Sequence, residues 1–274
     1  EGYANIRRTI RTDYRYLELM QKGAGYYASE EKTRKWLSNT FPHTPDDGAE
    51  PGTALSAAAD CLEFAMPDSL FQQLHAYAEQ YDVSAECLWY LTLLAEHCKR
   101  TGIRHTVIGR MSEYRQRRQR DIVGLFNRVL PISFHARDTD TQTLCSQLET
   151  NFLSALRYGA FSLRALRKLA PDAYIDFDTL VSYHPEHMMT APAPGYREAD
   201  MNFIDTPLRI WIHDSKHRHS LQIFYQKQTF RPEQIRQLAS RYFLMLEQFT
   251  AGIFWADISL LTPCDNYAYY LLNL

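Results

Sequence analysis

DIVGLFNRVLPISF, Asp121 to Phe134, decides how this chain is read. The run is too short and too interrupted for a core helix, so its apolar residues describe a strand. Asn127, Arg128 and Pro131 sit inside it, and a strand paired on both sides has no place for a Pro, which cannot donate to the ladder. The stretch therefore reads as a strand whose ladder pairing lapses at Pro131, with Asn127 and Arg128 left to be explained.

Working outward from it, HTVIG (His105 to Gly109) reads as the preceding strand and TLCSQLETNFLSALRYGAF as the following helix, with Leu144, Leu148, Phe152 and Ala155 on one stripe. IDFDTLVSYH is a further strand, and LRIWIHD with HSLQIFYQ makes a hairpin around Ser215, Lys216 and His217. RPEQIRQLASRYFLMLEQF closes the pattern as an amphipathic helix with Pro232 in its first turn. Upstream, Ser84 to Gly102 is an apolar helix that stops at Gly102; its hydrophobic face runs nearly all the way round, so it belongs at the centre. Pro67-Asp68-Ser69 opens a helix through Tyr81, Cys61 to Phe64 is a short strand, and helices are predicted over Tyr3 to Gln21 and from Ser29 to Trp36 or Leu37. Phe41 to Thr53 is loop. Helices first, then strands alternating with helices, describe an α/β (α+β) fold: a mixed open sheet covered by helices.

Composition sets the outer limits. The 274 residues carry a net charge of -2 with 45% hydrophobic residues, so they can bury a core and have no basic excess to attract nucleic acid. The basic run Glu113 to Arg120 reads as a solvated face. No apolar run is long enough for a membrane span. The five cysteines are odd in number and lack a CxxC spacing; Cys87 and Cys98 lie in apolar helix, which predicts buried reduced thiols, no structural zinc and a cytoplasmic setting. Ten histidines raise a metal reading, but Pro185 between His184 and His187 removes the helical geometry such a pair requires, and His213, His217 and His219 flank a turn, which predicts solvated rings. No Gly-rich phosphate loop and no Ser-His-Asp arrangement is evident.

Read in order, these segments resemble the second half of a condensation domain of non-ribosomal peptide synthetases, in the chloramphenicol-acetyltransferase-like superfamily. VGLFNRVLPIS is similar to the signature (I/V)GxFVNTxPxR, placing Val123, Gly124, Phe126, Leu130 and Pro131 on it. VIGRMSEYRQRR resembles the strand that ends in a Gly/Asn-Arg pair, giving Gly109 and Arg110. Tyr16 and Glu18 fall where the family has Tyr-x-Asp, and Trp36 where a Trp ends the next helix. FDTLVSYHPE, the hairpin and the last helix are similar to the family's closing elements, and DISLLTPCDNYAYYLLN to the linker into an adenylation domain. Two features depart from the pattern. Of the active-site motif HHxxxDG only the last two positions align, with Glu1 and Gly2, so the resemblance places the catalytic histidines outside this chain. Later signatures are eroded: Asn-Thr has become Arg128-Val129, or is displaced to Asn127; the terminal Arg is Ser133; HQDxPFE has become Arg157 to Leu163.

The resemblance implies a helical segment over residues 1–52 linking from a missing N-terminal lobe, a C-terminal lobe over 53–254, and a linker over 255–274. It implies amide formation between carrier-tethered thioesters, with this chain as the acceptor-side lobe. An inactive condensation-like domain that docks carrier proteins or tailoring enzymes is the alternative. No cofactor is bound directly; phosphopantetheine arms of carrier proteins act as tethers. Carrier domains, the N-terminal lobe and an adjacent adenylation domain are the implied partners, with no nucleic acid and no membrane. Arg110, Ser182, Glu1 and Gly2 are the expected tunnel and lobe-interface residues, and Arg110 is expected to hold an acid across that interface. Gly124, Phe126, Asn127 and Arg128 are expected to form a lobe-crossing strand, the other reading being an edge strand with Arg128 in water. For Ser182, a hydroxyl facing a polar cavity and one bonded to neighbouring backbone both stand, with Tyr183 on the opposite, core face.

Overall fold

The structure is a computed structural model that describes residues 29–41, 56–113, 127–159, 161–185 and 203–261. The elements are α1 (Glu30–Thr40), β1 (Ala57–Ala65), α2 (Asp68–Tyr81), α3 (Ala85–Thr101), β2 (His105–Glu113), β3 (Asn127–His135), α4 (Thr141–Tyr158), α5 (Leu163–Leu169), β4 (Thr179–Pro185), β5 (Phe203–Ile204), β6 (Leu208–Asp214), β7 (His219–Gln226) and α6 (Pro232–Thr250). The expected helix near the start, Glu1, Gly2, Tyr16, Glu18, Gly124 and Phe126 lie outside the described residues.

Four of the six described helices start where the N-cap side chain supplies a partner for a free N–H group. Ser29, Ser84, Asp140 and Ser162 cap α1, α3, α4 and α5 by accepting from the backbone N–H three residues on. Gly102 ends α3 at φ 75°, a left-handed turn that costs glycine least. α3 is buried almost all round, from Leu88 to Ala95, as its sequence predicts. Each of its leucines contributes roughly 1.5–3 kcal/mol of burial.

The strands form one seven-stranded mixed sheet in the order β3-β2-β4-β6-β7-β1-β5. β4 lies parallel to β2 and β6, while the other neighbours are antiparallel. β3 is an edge strand, the alternative kept open beside a lobe-crossing strand, and Pro131 stays paired within it, opposite Gly109. Its outer carbonyls are covered from α4: Asn151 donates to Ser133 O at 2.8 Å and Gln147 to His135 O at 3.4 Å. β2 and β4 pair at only two positions, Gly109 with Leu180 and Arg110 with Val181, although both strands run on. The sheet thus forks at the C-terminal ends of its parallel strands, the end at which open α/β sheets place ligands.

One sheet face carries Val181, Ile210, Ile212, Leu221 and Ile223 against α2, α3 and α6 in the main core. The other face is covered at the β3–β2 end, where Ser133 donates to Thr40 O at 3.0 Å and Phe177 lies over Gly109. Among the described residues, that second face carries along β4, β6, β7 and β1 a small apolar cluster, Ala59, Ile204 and Phe224 with Cys61 and Trp211 against it. Trp36 and Leu37 of α1 join the main core, and so do Trp255 and Ile258, so the packed unit extends into both flanks that the sequence reading treats as linking segments. Buried Cys87 is a free thiol pushed up to about 12 by burial, which keeps it protonated and inert.

Candidate functional site

The forked end of the sheet brings β4, β6 and the first turn of α3 together, and strand alternation divides its residues between the two faces. Arg110 pairs with Val181 in the β2–β4 register, so it projects to the helix side. There its guanidinium meets Glu86 at 2.6 and 2.9 Å, donates to Ser112 at 2.6 Å and lies 4.6 Å from the Phe152 ring centre. The expectation of an acid held across a lobe interface is corrected here: the acid is Glu86, 24 residues earlier on this same chain, and both side chains are largely buried. Arg110 clamps α3 and α4 to β2.

Ser182 projects the opposite way. The structure therefore separates the two expected tunnel residues, one to each face. Among the described residues the Ser182 hydroxyl bonds neither to backbone nor to a base. Its neighbours on the second face are His184, two residues on, and Trp211, its register partner on β6. His184 stacks on His213 with ring centres 5.5 Å apart and meets Trp211 edge to face at 5.7 Å. His213 Nε2 donates to Gln222 Oε1 at 3.2 Å, and Arg218 donates to the same oxygen at 3.4 Å. Arg218 also pairs with Glu63 at 3.0 Å, and Ser220 donates to that carboxylate at 2.7 Å. Burial by itself would raise the Glu63 carboxyl, but Arg218 and Ser220 outweigh it and hold it below its ordinary value.

Burial, helped by His213 and Arg218, drops His184 to about 4, so its imidazole is neutral near pH 7. Its Nε2 is buried and has no hydrogen-bond partner among the described residues. The sequence reading left His213, His217 and His219 to solvent; His213 is in fact buried, and His219 is held by Asp68 at 2.8 Å.

Tyr183 is on the core face, as strand alternation predicts. Its hydroxyl donates to Asp214, a buried carboxylate that also bonds His75 Nε2 at 2.8 Å. Burial and the Asp214 charge push the Tyr183 phenol far up, so it remains a donor. This group ties α2 to the ends of β4 and β6, and its members lie 139 and 31 residues apart, too far for any local pattern to announce.

Asn127 and Arg128 open β3 opposite Glu113 and Ser112; Asn127 is exposed and Arg128 half-buried. Among the described residues no three or more His, Cys, Asp or Glu come together as a metal site, and no helix is long and apolar enough to cross a membrane.

A scan against protein-family models and a comparison with curated proteins gave no match. Solved structures do match. The condensation domain of the Monacolin K polyketide synthase MokA superposes with a TM-score of 0.68 at 10% identity, over 88% of this chain and 61% of that one. The first condensation domain of the CDA synthetase gives 0.69 at 19% identity, over 89% and 56%. The X-domain from teicoplanin biosynthesis, solved in complex with OxyB, gives 0.66 at 16% identity, over 85% and 56%. The chain thus has the fold of the nonribosomal peptide synthetase condensation domains and spans 56–61% of the length of these neighbours.

Proposed function

We propose that these residues form the C-terminal, acceptor-side lobe of a condensation domain that joins two carrier-tethered substrates through an amide bond. The observation that carries this reading is a match along nearly the whole chain that accounts for little more than half of each neighbour, as a lobe of a two-lobed domain would. In the reaction the amine of an aminoacyl thioester attacks the carbonyl carbon of an acyl or peptidyl thioester. A C–N bond forms, the C–S bond breaks, and the amine proton is transferred as the thiol leaves. Holding two phosphopantetheine arms end to end supplies proximity, and a tunnel poor in water suppresses competing hydrolysis of the thioester. An imidazole that positions or deprotonates the amine suits such a step. None of the ten histidines here is adjacent to another, so the paired-histidine motif comes from outside these residues, on an N-terminal lobe.

In this reading the second sheet face, with Ser182, His184 and Trp211, meets the acceptor arm. Carrier domains dock at the ends of the tunnel, an adenylation domain follows, and no cofactor is bound beyond the carriers' arms. The test is Ser182→Trp in the intact domain. An indole there should lower kcat/KM for amide formation at least tenfold while leaving the melting temperature within ~2 °C. An unchanged rate removes Ser182 from the acceptor path.

The X-domain neighbour, solved with OxyB bound, favours a second reading: a condensation-like module that docks a partner without performing chemistry. Eroded signatures at Arg128, Ser133 and Arg157 to Leu163 agree with it. An intact parent protein that binds loaded carriers yet forms no amide would select it.

A further inference from the structure

The end of the sheet away from the fork, where the parallel strands β2, β4 and β6 begin at His105, Thr179 and Leu208, carries a cleft of about 80 Å³. Strand alternation puts Thr106, Ile108 and Leu208 on the helix side with Val181 and Ile210, so they form its floor. Leu93, Glu96 and Arg100, three and four residues apart on α3, make one wall. Tyr174, Phe177 and Asp178, ahead of β4, make another. Such a volume takes a small organic group.

Charge on the α3 wall is out of balance. Glu96 is 1% exposed, and its carboxylate meets Arg241 at 2.8 Å and Arg100 at 3.2 Å. Two guanidinium groups thus share one carboxylate, which leaves a positive charge over. Arg100 is tied through Nε to Glu96 and through Nη2 to His97 Nδ1 at 3.3 Å, so its head is held in place while the side chain stays 44% exposed. Its Nη1 has no partner among the described residues. On the floor Thr106 is buried, and its hydroxyl makes no hydrogen bond among the described residues, a polar group that a ligand atom would satisfy. Asp176 is already bound by Arg167, and Asp178 faces the cleft from the loop wall, so an anionic head belongs on the α3 side.

We infer that this cleft binds a small carboxylic acid in its ionised form, the carboxylate on Arg100 and the apolar body against Leu93, Ile108 and Leu208. A charge-assisted bond from a guanidinium favours a carboxylate over a neutral acceptor of the same shape. The site lies at the opposite end of the sheet from Ser182 and does not depend on the acceptor-side reading.

The probes are 4-methylpentanoate and 4-methylpentanamide, alike in shape and different in charge. Their binding to the 274-residue chain is followed by NMR of labelled leucine methyl groups, Leu93, Leu208 and Leu238 lining the cleft. The acid should bind roughly tenfold tighter than the amide at neutral pH, with added salt narrowing the gap. Arg100→Gln should erase the preference while Arg241 keeps Glu96 paired, and Arg100→Lys, which keeps the charge, should retain part of it. Equal affinities in the unsubstituted chain, or a preference that survives Arg100→Gln, would overturn recognition of the anion. Binding of neither compound, or shifts that spare these three leucines, would overturn the cleft as a ligand site.

Discussion

At Arg110 a residue expected to reach across an interface proves to be a fixed point inside the chain. A guanidinium removed from water is tolerable because Glu86 takes two of its N–H groups and Ser112 a third. Glu86→Gln should destabilise the fold by about 3 kcal/mol in urea denaturation, since it leaves a buried charge uncompensated. Glu86→Leu combined with Arg110→Met should cost less than Glu86→Gln alone; a larger cost would mean that the pair itself is net stabilising. His184 has a different signature. Its pKa falls to about 4 from an ordinary 6.5, so the unfolded chain binds the proton more readily than the folded one. The resulting stabilisation is complete above about pH 6.5 and is lost as pH falls toward 4, by roughly 2 kcal/mol. Chemical denaturation of His184→Phe between pH 7 and 4 should show a flatter decline than the unsubstituted chain. Parallel curves would place the acid sensitivity elsewhere, for example at Glu63, whose lowered value acts in the same direction at lower pH.

At the scale of elements, legibility follows where the physics is local. α3 could be read to the residue because Ser84 and Gly102 mark its ends, and the β6–β7 hairpin because its period of two breaks only at the turn. α5, with 7 residues, and β5, with 2, are too short to establish a period, and both were missed. β2 runs on through Arg110, Ser112 and Glu113 because the interior supplies partners for two of them, which periodicity cannot anticipate. Likewise the His75–Asp214–Tyr183 group depends on pairing across the sheet. Ser182 was identified as facing away from Tyr183, but the period that reveals this also puts Arg110 on Tyr183's side, a consequence that needs the β2–β4 register. At that crossing Gly109 leaves room for Phe177; any Cβ would overlap the ring. Gly109→Ala should cost about 1–3 kcal/mol in thermal or urea unfolding, and a second change, Phe177→Leu, should return part of it. If the single variant is neutral, the ring moves freely and does not fix the fork.

For the whole molecule, one sheet face is packed against α2, α3 and α6, and among the described residues the other carries a small apolar cluster beside Ser182, His184 and Trp211. The second face concentrates Ser182, His184, Trp211 and the ordered Gln222–Arg218–Glu63 chain. In the proposed reading, the imidazole for the chemistry is brought by a second lobe. The decisive measurement is mass spectrometric detection of amide product from one aminoacyl-loaded and one acyl-loaded carrier protein, with these 274 residues alone and with a polypeptide bearing the paired-histidine motif added. The account predicts no product above the uncatalysed background from these residues alone and product on addition of the second polypeptide. Amide formed by the 274 residues unaided would contradict it.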